Sequence, residues 1–80
     1  MFYVYILKSL TDPQQIYFGF TTNLSQRLKA HNGGQVIHTA KFIPWEVITY
    51  TVFNNKKQAL EFERYLKSGS GRVFTVRHFL

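Results

Sequence analysis

Eighty residues with ten Lys and Arg against four Asp and Glu make a short chain of net charge +6, long enough for one domain and too short for two. The absence of cysteine excludes disulfide staples and zinc–thiolate sites, and four carboxylates are too few for a two-metal centre built from convergent acids. The charge balance favours a polyanionic partner, and because the cations run from Lys8 to Arg77 with no basic tail, that partner is expected to meet a folded face.

Hydrophobic residues are 45% of the chain and aromatic ones 18%, a globular composition in which large rings compensate for small size. A chain this short buries only about 60% of the surface that its unfolded form exposes. No apolar run approaches the ~20 residues of a membrane span. The N-terminus lacks a basic region and a small-residue cleavage site, so the expectation is a soluble, cytoplasmic protein.

Residues 2–9 are apolar on both faces, which predicts a central strand. Thr11-Asp12-Pro13-Gln14-Gln15 is turn chemistry, with Pro13 suited to the second turn position. Residues 15–21 form a second strand, and the short connection makes the pair antiparallel. Asn23 reads as an N-cap with Gln26 completing a capping box. The helix runs to about Asn32, where Gly33-Gly34 end it. Residues 35–45 form an irregular loop closed by Pro44, and residues 46–53 a third strand rich in β-branched and aromatic side chains. Asn54 or Asn55 caps a second helix to about Lys67, broken by Ser68-Gly69-Ser70-Gly71. Residues 72–80 fit either a short helix or a strand-like extension. The order β-β-α-β-α plus a C-terminal tail predicts an α+β fold, a small three-stranded, mostly antiparallel sheet flanked by helices.

At about 100° per residue, Leu24, Leu28 and His31 share one stripe of the first helix, with Arg27 beside it and Lys29 facing solvent. A guanidinium fixed at a sheet edge suits bidentate phosphate contact; the plainer alternatives are an arginine laid along its apolar stem and a satisfied helix-end histidine. In the second helix Ala59, Phe62, Glu63 and Leu66 follow the spacing of a buried face, so a carboxylate stands where an apolar residue belongs. Glu61 falls on the far side with Lys57 and Arg64. Glu63 needs a partner: an arginine, with Arg27 in a salt bridge the plain case, a tyrosine hydroxyl, or a hard cation completed by water and substrate oxygens. Tyr3 and Tyr5 share a face of the first strand and Tyr17 lies on its neighbour. Core filling is the ordinary use of such rings. Gly19 inside a strand marks close approach of backbone or ligand, with room for a phosphate beside Tyr17. A phenol assists a water only if a cation or hydrogen bond lowers its pKa, which Arg27 and a bound metal would do.

These residues resemble the GIY-YIG nuclease superfamily. Val4-Tyr5-Ile6 stands where the first motif would be and Tyr17-Phe18-Gly19 where the second would be. The segment from Asn23 to Asn32 looks like the helix that carries the family's arginine, and Glu63, followed by Lys67, looks like its metal-binding glutamate. The match spans nearly the whole chain and points to the stand-alone single-domain bacterial members, related to the catalytic N-terminal domain found in the excinuclease. It implies a magnesium-dependent (or manganese-dependent) one-metal endonuclease acting on DNA phosphodiesters in repair or recombination. By this resemblance the catalytic residues are Tyr5, Tyr17, Arg27, His31 and Glu63, with Glu63 holding the metal. Gly19, Lys29, Lys41, Lys67 and Arg72 are the candidates for contacting the nucleic acid.

The sequence departs from the family's pattern where Val4 replaces the first glycine, Phe18 replaces an isoleucine and Phe20 stands where some members carry a lysine. Family nucleases usually carry a separate DNA-targeting domain, and none is visible in these residues, so a protein partner supplying target specificity is expected. Two other readings are a non-catalytic nucleic-acid-binding module within a larger assembly and an RNA-binding sheet that stacks bases on exposed aromatics. A carboxylate on the packing face of the second helix has no use in the last of these.

Overall fold

A computed structural model describes residues 1–80. In chain order it holds strands β1 (Phe2–Ser9) and β2 (Ile16–Thr21), helix α1 (Leu24–Asn32), a short 3-10 turn at Ala40–Phe42, strand β3 (Trp45–Phe53), and helices α2 (Lys56–Leu66) and α3 (Gly69–Phe79). The sheet order is β2-β1-β3 and both pairings are antiparallel. The first strand is therefore central, as its two apolar faces require. Val4 and Ile6 meet Phe18, Ala59 and Leu66 on the side that α2 and α3 cover, with Phe62 and Phe74 against them. Tyr5 and Leu7 meet Trp45 on the other side, under Leu24 and Leu28 of α1 and Phe42. Each such aliphatic side chain, fully buried, contributes about 1.5–3 kcal/mol.

Local chemistry sets the joints. Gln15 N–H donates to Asp12 O at 2.9 Å, which puts Pro13 at the second position of the turn between β1 and β2. Asn23 Oδ1 accepts Gln26 N–H at 3.0 Å, whereas Asn23 N–H donates to Thr21 Oγ1 at 3.1 Å. The cap is thus half of the expected box. Gly34, at φ +76°, supplies the left-handed turn after α1. Asn55 caps α2 through Gln58 N–H at 3.0 Å.

Three features differ from the sequence expectation. A bulge lies between the pairs Ile6–Thr49 and Leu7–Val47, so Ile48 has no partner on β1. The extra residue shifts the alternation and turns both Val47 and Tyr50 toward the α1 face. Ser68-Gly69-Ser70-Gly71 does break α2 after Leu66, but it also starts the next helix: Ser68 Oγ accepts Gly71 N–H at 3.2 Å and α3 runs on to Phe79. The glycine there serves contact, since a β-carbon on Gly71 would lie 2.5 Å from Leu66 Cα and closer still to the Tyr65 carbonyl oxygen. Residues 35–45 are also more ordered than an irregular loop. Asn32 grips the Trp45 backbone, accepting its N–H at 2.6 Å and donating to its carbonyl at 3.1 Å, and the Trp45 indole N–H donates to Thr39 O at 2.9 Å. No helix is long and apolar enough to cross a membrane.

Candidate active site

Tyr5 lies opposite Gly19 across the β1–β2 ladder. A β-carbon at Gly19 would come 2.7 Å from Tyr5 Cε2 and nearer still to Cζ and Oη. The missing side chain lets the Tyr5 ring lie across β2. The space read as room for a phosphate is therefore filled by this ring, and Gly19 acts through Tyr5. Tyr17, opposite Leu7, shares the face and sits 6.3 Å from Tyr5, ring centre to ring centre.

Helix α1 brings Arg27 and His31, one turn apart, against these rings. Arg27 Nε–H donates to Tyr5 Oη at 3.4 Å, and His31 Nε2 is 2.8 Å from the same oxygen. The His31 ring also meets Tyr17 edge-on at 4.9 Å. Its Nδ1 lies 2.8 Å from Thr39 Oγ1, and both His31 and Thr39 are fully buried. Thr39 escapes a reading of the sequence, because a single loop threonine carries no periodic or spacing signal.

Burial, and then the Arg27 guanidinium, lower the His31 pKa from 6.5 to about 4, so the imidazole is neutral at neutral pH. Burial pushes the Tyr5 phenol above 10.0 against the Arg27 hydrogen bond, and the charges of Tyr17 and Glu63 also oppose its ionisation. Arg27 is held in its charged form chiefly by its hydrogen bond to Tyr5. Tyr5 therefore stays a neutral phenol, and the cation of the cluster is Arg27. Tyr17 is partly exposed, whereas Tyr5 and His31 are not.

Glu63 falls on the packing side of α2, between buried Ala59 and Leu66, while Glu61 is exposed. The salt bridge to Arg27 does not form. Lys67, one turn on, pairs with Glu63 instead, Nζ to Oε2 at 3.3 Å. The Glu63 side chain is 19% exposed and that of Lys67 55%, so this pair is open to exchange with solvent or a competing cation. No group of three His, Cys, Asp or Glu side chains gathers anywhere in the chain. The donor set still fits a hard cation such as Mg2+ that keeps most of its waters and takes one protein carboxylate. Glu63, half-buried on the packing side of α2, is the carboxylate that would serve as that ligand.

The cations expected to contact nucleic acid do not share one face. Arg27 and Lys29 line a polar recess of about 410 Å3 with Gln26 and Gln35, next to Thr21 at the end of β2. Arg72 borders Ile16 and Phe18 of the same strand from the α3 side. Lys41 is exposed in the 3-10 turn, and Lys67 is tied to Glu63. The larger recess, about 940 Å3 between α1 and β3, is lined by Tyr3, Leu24, Leu28, Val47 and Tyr50 among others and carries no charged side chain. Two recesses lined by cations lie beside β2.

The chain is similar in sequence to known proteins. The family model of the GIY-YIG catalytic domain matches residues 1–76. A relative in Debaryomyces hansenii, the structure-specific endonuclease subunit SLX1, is 42% identical over 71 residues, covering 80% of this chain and 20% of its own length. A UPF0213 protein of Clostridium perfringens is 40% identical over 68 residues, 84% of this chain and 71% of that protein. A UPF0213 protein of Streptococcus pyogenes is 31% identical over 71 residues, 88% of this chain and 75% of its own. The chain thus spans a fifth of the Debaryomyces protein and most of each small bacterial protein.

Proposed function

Because the chain belongs to the GIY-YIG catalytic-domain family, we propose that it is an endonuclease that hydrolyses DNA phosphodiesters with one divalent cation, Mg2+ or Mn2+, held by Glu63. The observation that carries this reading is the Arg27 guanidinium, kept charged and tied at Nε to a buried phenol, beside a polar recess at the end of β2. With Nε engaged, the two Nη groups are the donors left for a phosphate, and their planar fork suits the charge that grows on its oxygens during attack.

Tyr17 is the phenol that substrate water can reach, since its ring is partly exposed and packs on His31. Its hydroxyl accepts a hydrogen bond from the attacking water, whose proton passes to solvent as the new P–O bond forms. The ester P–O bond breaks and the leaving oxygen takes a proton from solvent, leaving a phosphate monoester and an alcohol. Tyr5 and His31 are too deeply buried to meet DNA, and they hold Arg27 and Tyr17 in place. The cation, when bound, supplies Lewis-acid polarisation of a phosphoryl oxygen. Lys29 and Arg72 reach β2 from its two sides and hold the flanking backbone of the DNA. The Debaryomyces relative is named a subunit of a structure-specific endonuclease, which supports recognition of DNA shape and a protein partner that supplies the target.

The direct test incubates the protein with supercoiled plasmid and with branched duplexes, in Mg2+ or in a chelator. Nicking that requires the cation is the expected result. Binding without cleavage in both Mg2+ and Mn2+ would overturn the enzyme in favour of a binding module.

A further inference from the structure

Five groups from separate parts of the chain fall in one hydrogen-bonded line. Arg27 Nε is 3.4 Å from Tyr5 Oη, which is 2.8 Å from His31 Nε2. His31 Nδ1 is 2.8 Å from Thr39 Oγ1, which is 3.3 Å from the Val36 carbonyl. Donor counting fixes the direction of every bond. Arg27 can only donate, so it gives its Nε–H to Tyr5 Oη. Tyr5 is 1% exposed, and the only other partner of its hydroxyl is His31 Nε2. The phenol proton must therefore point at a bare Nε2. A neutral imidazole then carries its one proton on Nδ1, which donates to Thr39 Oγ1, and the Thr39 proton goes to the Val36 carbonyl. The opposite direction would strand the Tyr5 proton without an acceptor inside the protein, which native interiors avoid.

We propose that Thr39 is a positioning residue for phosphodiester cleavage. By holding His31 in its Nδ1–H form, Thr39 makes Tyr5 a donor toward His31 and an acceptor toward Arg27. The guanidinium is thereby fixed with Nε turned inward and its Nη pair outward. Which imidazole nitrogen carries the proton is set by what the other one meets, and here that choice belongs to the loop between α1 and β3. The loop is built to hold it: the Thr39 carbonyl accepts the Trp45 indole N–H at 2.9 Å, and Asn32 clamps the Trp45 backbone. The inference rests on Arg27 as the phosphate ligand proposed above.

Thr39→Val keeps the shape and removes the hydroxyl, whereas Thr39→Ser keeps the hydroxyl. Nitrogen-resolved NMR of the His31 ring, in the protein without DNA, reads the tautomer, and single-turnover cleavage reads the consequence. The wild-type ring is expected to be protonated at Nδ1. In Thr39→Val, Nδ1 has no acceptor, so the proton moves to Nε2 and displaces the Tyr5 proton from its partner. A buried donor left without its partner is expected to lower kcat about 10- to 100-fold, with little change in KM. Thr39→Ser should restore both the tautomer and the rate. A wild-type ring protonated at Nε2, or a folded Thr39→Val protein that cleaves at the wild-type rate, would overturn the proposal. Normal cleavage by Arg27→Ala would instead strike the role given to Arg27, and with it the catalytic consequence, while the spectrum still judges the tautomer by itself.

Discussion

Lowering the pH from about 7 to about 4.5 should destabilise this protein through His31. The ring is fully buried, and burial followed by the Arg27 charge lowers its pKa from 6.5 to about 4. In the unfolded chain the imidazole takes up a proton near pH 6.5, while the native ring refuses it until about pH 4. The unfolded state therefore binds more protons between those values, and stability falls with pH across that window. The contribution is complete above about pH 6.5 and gone below about pH 4. The gap between 6.5 and about 4, at 1.36 kcal/mol per pH unit, amounts to about 3 kcal/mol. A domain of this size typically holds roughly 4–12 kcal/mol in all, so the loss should be plain. With an m value of about 1–2 kcal/mol/M, the urea midpoint should drop by roughly 1.5–3 M. Urea unfolding at several pH values, for the wild type and His31→Gln, measures it. The variant starts less stable, and its stability should lose most of the pH dependence in this window, whereas variants of the exposed His38 and His78 should keep it. A wild-type stability that is flat from about pH 7 to about pH 5, or an equal slope in His31→Gln, would refute the reasoning.

Gly19→Ala should lose at least the 1–3 kcal/mol typical of overpacking, because the new methyl occupies the place of the Tyr5 ring; unchanged urea stability would mean the ring does not rest on β2. Arg27→Lys should abolish most cleavage while leaving binding to DNA at low salt nearly intact, since an ammonium keeps the charge and loses the paired donors. Near-normal turnover in that variant would reduce Arg27 to a structural partner of Tyr5. Tyr17→Phe should keep the fold and slow cleavage by about 10²–10⁴-fold, while Tyr5→Phe should also cost about 1–3 kcal/mol of stability by leaving His31 Nε2 unpaired. Tyr3→Phe is the silent control, and full activity in both the Tyr5 and Tyr17 variants would leave the phenols as core filling.

The elements that sequence revealed are those with local or periodic causes. Two apolar faces made β1 central, and Asn23 and the pair Asn54-Asn55, of which Asn55 is the cap, marked their helices because a short polar side chain accepts the first free N–H groups. Helical phase put Glu63 on the packing side and Glu61 in solvent, as found. Contacts between distant segments stayed hidden. Gly19 reads as an opening until Tyr5 is seen to cover it, and Ser68–Gly71 reads as a break until α3 is seen to pass close over Leu66. The tail itself was undecidable because Val73, Val76 and Phe79 are exposed while Phe74 packs inward, so α3 lacks a clear polar face. The bulge at Ile48 follows from pairing with β1, and the role of Thr39 from a hydrogen bond to a residue eight positions away. None of these leaves a mark on a linear pattern.

Plasmid nicking by Glu63→Gln beside Glu61→Gln tests whether one carboxylate, Glu63, holds the cation for a cluster built around Arg27 and Tyr17. Both substitutions remove one negative charge from α2, but only Glu63→Gln removes the proposed metal ligand, and it also releases Lys67 from its ion pair. Glu63→Gln should show no nicking in Mg2+ yet bind DNA at least as tightly as the wild type, and Glu61→Gln should nick normally. Cleavage that survives in Glu63→Gln and disappears in Glu61→Gln would contradict both the helical phase and the assigned site.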